Sequence, residues 1–256
     1  MPSFRRLLAP ALFVLALASA PLAASAQSFS DTQRTDIEKI VREYLIAHPE
    51  VLEEAMNELS KRQAAAEAEK HQASIAKNAE AIFNSPRGVT LGNRDGDVTM
   101  VEFFDYNCGY CKRAMVDMLD LMKADPKLKV VLKEFPVLSQ GSVEAAQVGV
   151  AVRMQDPSGK KYLDFHQKLL GGRGAADKAR AMAAAKDAGL DMTRLEKDLS
   201  GPEVRATLEE NMKLAEAMGM NGTPSYVIGK QIVIGAVGLE NLREKIGVAR
   251  CGKATC

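Results

Sequence analysis

Apolar positions fall into three textures along this chain. The first is a block, Leu7 to Ala20, interrupted only by Pro10 and Ser19. The second runs from residue 29 to about 83 and reads as wholly helical. Ile37, Ile40, Val41, Tyr44 and Leu45 recur at helical spacing and form one stripe. Ser30-Asp31-Thr32-Gln33 fits a capping box, with Phe29 placed for a hydrophobic staple. His48-Pro49 interrupts the helix, and Pro49 suits the first position of a second one. That helix carries Val51, Leu52, Ala55, Met56 and Leu59 on one face. From Lys61 to Lys77 large apolar residues vanish until Ile75. Ala, Glu, Gln and Lys dominate, a helix-forming composition with almost nothing to bury. We read it as a solvated, bendable spacer that would span about 35 Å from Lys61 to Phe83 if fully helical. The stripe at its far end cannot bury itself alone. It must dock back or meet copies from other chains, and a long polar spacer favours self-association.

The third texture begins near Ser85 and has the length of one domain. Val89 to Asn93 reads as a short strand ending in a turn, and Val98 to Phe104 as a buried strand. Lys112 to Met122 reads as a helix, and Leu128 to Phe135 as a second strong strand stopped by Pro136. A helical insertion follows, about 140–218. Its pieces are Val143 to Gln155, Lys160 to Leu170, Lys178 to Ala188, Thr193 to Leu199 and Glu203 to Met218. Gly and Pro punctuate them. Tyr226 to Ile228 and Gln231 to Ile234 make a hairpin around Gly229-Lys230. A last helix runs from about Leu239 to Val248. The expected fold class is therefore α/β, a βαβ half and a ββα half with helices inserted between, preceded by an all-α stalk. Periodicity alone leaves the sheet topology open.

Charge and composition place the chain. Arg5 and Arg6, the apolar block and Ala24-Ser25-Ala26 read as a cleaved secretory signal peptide over residues 1–26; an uncleaved anchor is the alternative. The block is short and wrongly flanked for a membrane span. Lys and Arg number 34 against 33 Asp and Glu. Without Arg5 and Arg6 the basic count falls to 32, giving a mature net charge of −1. No nucleic-acid footprint follows from that balance. Four cysteines in 256 residues do not make a disulfide scaffold, and 46% hydrophobic residues can build an ordinary core.

The chemistry concentrates in Cys108-Gly109-Tyr110-Cys111, between a strand and a helix. That is the layout of a dithiol that shuttles electron pairs. Unpaired N–H groups and the helix dipole favour a thiolate on Cys108. Cys111, one turn on, can attack a mixed disulfide, and Gly109 and Tyr110 tune the potential. A structural disulfide or half of a zinc site are the alternatives. Zinc would want two further Cys or His ligands at matching spacing. Only His48, His71, His166, Cys251 and Cys256 remain, and the last two have four residues between them. Cys251 and Cys256 suit a local disulfide; an accessory redox pair or a Cu(I) thiolate site are alternatives. His166 reads as a packed or surface residue. No cofactor and no resident metal are expected.

Val101-Glu102-Phe103-Phe104-Asp105-Tyr106-Asn107-Cys108-Gly109-Tyr110-Cys111 resembles the strand and active site of the DsbA-like thioredoxin superfamily. Asn221-Gly222-Thr223-Pro224-Ser225-Tyr226-Val227 resembles its cis-proline loop. The resemblance covers most of residues 85–250 and implies a thioredoxin fold with a helical insertion. It implies catalysis by Cys108 and Cys111, with substrate peptide held by Thr223, Pro224, Gly109 and Tyr110. Glu102 lies six residues before Cys108, where such proteins often keep an acid beneath the dithiol; an exposed strand acid is the alternative. Lys133 is expected either to pair with Glu102 and tune it or to be solvated. The segment from Phe29-Ser30-Asp31-Thr32-Gln33 through Ala47-His48-Pro49-Glu50-Val51-Leu52-Glu53-Glu54-Ala55 resembles the N-terminal region of ScsC-like proteins, periplasmic members linked to copper tolerance. That implies a homo-oligomer, trimer favoured, and Gly-Tyr between the cysteines resembles bacterial disulfide isomerases. The resemblance implies a periplasmic disulfide isomerase acting on unfolded or misdisulfided exported proteins and fed by a membrane thiol-reductant partner. The competitors are a monomeric DsbA-like oxidase and a copper-binding or chaperone protein with cysteine ligands.

Overall fold

The computed structural model describes residues 29–256, so the leader expected over residues 1–26 lies outside the described residues. The chain divides into two compact units, one ending at Leu59 and one running from Ser60 to Cys256. In the first, helix α1 spans Asp31–Ala47 and is started by the expected capping box. The Gln33 N–H donates to Ser30 Oγ, and the Ser30 N–H donates to Gln33 Oε1. The expected staple is not made. Phe29 stays exposed, and the fourth helical position is Arg34, which offers no apolar partner. His48 caps the end of α1, and α2 spans Glu50–Lys77. No residue of α1 is buried. Ile37, Ile40, Val41 and Tyr44 stand exposed along its stripe, as do Leu52, Met56 and Leu59 on the first turns of α2.

The spacer expected to end near residue 84 stops being a spacer earlier. Residues 61–70 are exposed throughout, but Ile75 in α2 and Ile82 in α3 (Ala79–Phe83) are buried. They pack with Val101, Phe103, Val131, Leu214 and Met218. Ser74 Oγ donates to the Ala217 carbonyl at 2.6 Å. A few apolar residues after a polar run suffice to dock a helix end, because each large side chain buried contributes about 1.5–3 kcal/mol.

The second unit is built on a five-stranded sheet ordered β1-β3-β2-β4-β5. The strands are β1 Val89–Gly92, β2 Val98–Phe104, β3 Leu128–Glu134, β4 Ser225–Ile228 and β5 Gln231–Ile234. Only β2 and β3 run parallel, joined by helix α4 (Gly109–Ala124); the other neighbours are antiparallel. Both central strands are covered on two faces and read as near-continuous apolar runs for that reason. On one face Met100, Phe104, Val130 and Leu132 meet Met115, Met118 and Leu121 of α4 and Leu242 and Ile246 of α10 (Leu239–Cys251). The inserted helices are α5 Gln140–Gln155, α6 Lys160–Gly171, α7 Lys178–Asp187, α8 Met192–Leu199 and α9 Pro202–Ala217. They match the expected pieces closely. Among the described residues no helix is long and apolar enough to cross a membrane.

Candidate active site

Strand β2 ends at Phe104, and the next four residues turn the chain into α4. Asp105, itself buried, fixes that turn. Its Oδ1 accepts from the Asn107 N–H at 2.8 Å, and its Oδ2 accepts from the N–H groups of Val137 and Leu138 at 2.9 and 3.0 Å. Asn107 ties the same turn to the insertion. Its amide donates to Ser142 Oγ and the Ala176 carbonyl, and its Oδ1 accepts from the Ala176 N–H. Neither residue was picked out from the sequence. The available signal was two short polar side chains in the strand-to-helix turn, which is where Asp and Asn stabilise backbone turns.

This turn delivers Cys108 to the N-cap of α4, where its sulfur accepts from the Cys111 N–H at 3.2 Å. Cys108 and Cys111 are both free thiols, Cys108 6% exposed and Cys111 fully covered. The loop before β4 comes to the same point. Thr223-Pro224 is a cis peptide, and the Cys108 thiol donates to the Thr223 carbonyl at 3.2 Å. The sequence-separated motifs at 108–111 and 223–224 are thus brought together. Gly109 opens α4 with open space where a side chain would be. Tyr110 stands 59% exposed beside the dithiol, with the Arg113 guanidinium 4.7 Å above its ring.

Electrostatics divide the two sulfurs. The Cys108 thiol is drawn down to about 6, chiefly by the hydrogen bond from the Cys111 thiol. Burial opposes this; Thr223 and the N–H groups of Cys111 and Tyr110 reinforce it. The Thr223 carbonyl can only accept and so holds the neutral thiol. The Thr223 hydroxyl, buried without another partner, is the group that can turn to a thiolate. Cys111 is pushed well up, first by burial and then by donating to Cys108. Alkylation of the reduced protein is therefore expected to follow a midpoint near 6 at Cys108, with Cys111 unreactive. A midpoint at the free-thiol value of about 8.5 would remove the thiolate argument.

Glu102 is buried on β2, and its carboxyl is raised to about 8 by burial, then by Cys108 and Asp117. The expected pairing with Lys133 is not made. The parallel register sets Glu102 beside Leu132 and Lys133 beside Phe103, so the two charges face opposite sides of the sheet. Lys133 is neither solvated nor beneath the dithiol. It is fully buried against α9, 3.8 Å from Glu210 and 3.5 Å from Asn211, and burial lowers it to about 8. The residue that does face Glu102 is Tyr226, directly across in the antiparallel β2–β4 pair.

Cys251 and Cys256 form a disulfide with a Cα separation of 6.2 Å at the end of α10. Neighbouring Arg250 pairs with Asp97, just before β2, and with Asp125, at the C-terminus of α4. The disulfide therefore sits at the opposite pole of the sheet from Cys108. Among the described residues no cluster of three or more His, Cys, Asp or Glu could hold a metal.

A second buried acid stands behind Tyr106. Glu134 Oε1 accepts from the Tyr106 hydroxyl at 3.0 Å and from the Tyr162 hydroxyl at 2.7 Å. His166 packs on Phe104, Tyr106 and Tyr162, and burial lowers it to about 3. Gly149 leaves the room, since a Cβ there would collide with the Glu134 carboxylate. Burial raises Glu134 from 4.5 to about 8. The unfolded chain ionises first, so this acid withdraws stability as pH rises from 4.5 to 8. Glu134→Gln is expected to gain stability relative to the parent across that window, by up to about 1.4 kcal/mol per pH unit. Thermal melts of both proteins at stepped pH measure it; parallel curves would mean the carboxyl is not held neutral.

Residues 99–247 match the family model of the DSBA-like thioredoxin domain. The chain belongs to that family. Residues 33–66 match a second model, the copper resistance protein ScsC N-terminal domain. A thioredoxin-like oxidoreductase from Silicibacter pomeroyi is 42% identical, with 67% of this chain and 96% of that one covered and a TM-score of 0.63. Proteus mirabilis ScsC in a transitional conformation is 29% identical, with 87% and 97% covered and a TM-score of 0.63. Among curated relatives, the Na(+)/H(+) antiporter NhaA of Herminiimonas arsenicoxydans is 26% identical over 165 residues, 64% of this chain. The match spans only 26% of that antiporter's length. The DSBA-like match covers strands β2 to β5, the dithiol and the cis-proline loop but not β1, and the ScsC-type match covers most of α1 and the first part of α2.

Proposed function

We propose that this chain is a thiol–disulfide oxidoreductase of exported proteins, working in the periplasm chiefly as a disulfide isomerase. The observation that carries the redox assignment is the meeting of Cys108 with Thr223-Pro224 over a buried Cys111. The Cys108 thiolate attacks a substrate disulfide, forming one S–S bond and releasing one substrate thiolate, which takes a proton from solvent. The substrate's freed sulfur can then attack another of its own disulfides, which shuffles pairings with no net electron transfer. Alternatively Cys111 loses its proton and attacks Cys108, leaving the Cys108–Cys111 disulfide and a reduced substrate. Thr223, beside Pro224, holds an extended substrate peptide through its backbone, and Gly109 and Tyr110 line the approach.

Isomerisation requires the dithiol to be kept reduced, hence a membrane thiol-reductant partner. The apolar stripe of α1 and α2, left exposed within its unit, supports a homo-oligomer, for which the resemblance of the N-terminal segment to ScsC-like proteins implies a trimer. Refolding of a scrambled disulfide substrate tests the reading, with and without Cys108→Ala. Rescue that depends on Cys108 supports it. Oxidation of reduced substrate without rescue of scrambled substrate would favour a monomeric dithiol oxidase. Stoichiometric copper binding with neither activity would favour cysteines acting as ligands.

A further inference from the structure

Buried hydroxyls are nearly always hydrogen-bonded, because one left unpaired loses its hydration with nothing in return. Tyr226 is an exception. Its side chain is 1% exposed, and its hydroxyl has no partner. It stands across from Glu102 in the β2–β4 register, and both side chains leave the sheet on the face that carries α4. Tyr226 packs in the same buried cluster as Cys108 and Cys111. Glu102 makes no hydrogen bond or ion pair among the described residues, and the register has removed Lys133 as its counter-charge. A hydroxyl without a partner and an acid without one are therefore cross-strand neighbours on the face beneath the dithiol, not hydrogen-bonded to each other in this resting state.

We propose that Tyr226 is a positioning residue for the resolving step, its hydroxyl donating to the Glu102 carboxylate that takes the proton from Cys111. The inference rests on the redox reading above. While Glu102 is protonated it has little need of a donor. Once ionised, it is a buried anion, and the waiting hydroxyl is the neutral group that can stabilise it. In the step itself Cys111 gives its proton to Glu102 and its electron pair to Cys108 Sγ. The bond between Cys108 and the substrate sulfur breaks, and the substrate leaves as a thiolate that is protonated from solvent. Substrate is reduced by two electrons and the dithiol oxidised by two. Asp117, half-buried on α4, is the solvent-side acid of the group.

The titratable groups acting on this pair are Cys108 at the N-cap of α4 and Cys111 and Asp117 within it. Since Glu102 lies near 8, the resolving rate should rise with pH through that value. Removing the donor should push Glu102 higher. A hydrogen bond to a charged group corresponds to roughly one pKa unit, so the midpoint should move up by about one unit and the rate at pH 7 should fall about tenfold.

The test uses the full mature chain, a preformed mixed disulfide between Cys108 and a small aromatic thiol, and stopped-flow release of that thiol from pH 6 to 10. The rate of Cys108 attack on the free aromatic disulfide is the internal reference. In Tyr226→Phe the ratio of resolving to attack rate should fall about tenfold at pH 7, with the midpoint raised. In a Glu102→Gln background the same substitution should no longer shift the profile. If Tyr226→Phe does not fold, 3-fluorotyrosine at 226, a stronger donor, should move the midpoint down instead. An unchanged midpoint, or an equal shift without Glu102, overturns the role of Tyr226 while leaving the dithiol reading intact. Failure of the parent to form the mixed disulfide at all overturns both.

Discussion

Cys111→Ser should trap the protein on its substrates. With Cys108 intact and the buried partner unable to attack, mixed disulfides through Cys108 should accumulate and resist release. Cys108→Ser should form none. The physical basis is the division between the two sulfurs, one at the helix N-cap with donors around it, the other fully covered and held as a thiol. Resolution by Cys111 is intramolecular, and well-placed intramolecular reactions have effective concentrations of about 10⁵ M or more. Release from the serine variant should therefore slow by at least about a thousandfold. Non-reducing electrophoresis of an exported-protein extract, with thiols blocked on lysis, reads the adducts directly. Equal adduct levels in both variants would mean that another cysteine attacks. Cys251 and Cys256 are the other two cysteines, and they are engaged with each other at the far pole.

Deleting residues 27–60 is the second large effect. The remaining chain corresponds to a compact unit and keeps Ile75 and Ile82 in its core, so it should fold. It should also keep Cys108 reactivity. What it loses is the exposed stripe of Ile37, Ile40, Val41, Tyr44, Leu52, Met56 and Leu59. Burying such a stripe between chains supplies the driving force for assembly. Light scattering should report an oligomer for the mature chain and a monomer after deletion. Refolding of scrambled substrate should fall by about tenfold or more, because several sites acting on one substrate raise the effective concentration of the second encounter. Simple dithiol oxidation should change little. A mature chain already monomeric at micromolar concentration would turn the proposal toward a monomeric DsbA-like oxidoreductase.

The two effects differ in where their causes can be read. The stripe, the capping box and the polar run after Lys61 are periodic or local signals, and each depends on residues within a few turns of one another. The same holds for the helices of the insertion, which Gly and Pro separate, and for Cys108 at a strand-to-helix junction. These followed from sequence alone, as did the hairpin around Gly229-Lys230, where Ile228 pairs with Gln231 across a Gly with φ 58°. The staple at Phe29 did not, because it needs an apolar residue at one further position and Arg34 occupies it.

What tertiary structure decided is which distant residues share a face. Glu102 and Lys133 lie on neighbouring strands, and nothing local distinguishes a register that sets them side by side from one shifted by a residue. That shift decides between a charge pair and two charges on opposite faces. The pairing of β2 with β4 likewise chose Tyr226 as the neighbour of Glu102 across more than a hundred residues of chain. It also brought the Thr223 carbonyl to Cys108. Asp105 and Asn107 gained their roles only when the segments near Val137 and Ala176 folded onto the turn. Sequence determined the elements and the reacting sulfurs, because helix, strand and cap preferences are set by near neighbours. The environment that assigns those sulfurs their protons was decided by strand register and burial, which exist only once the sheet is assembled.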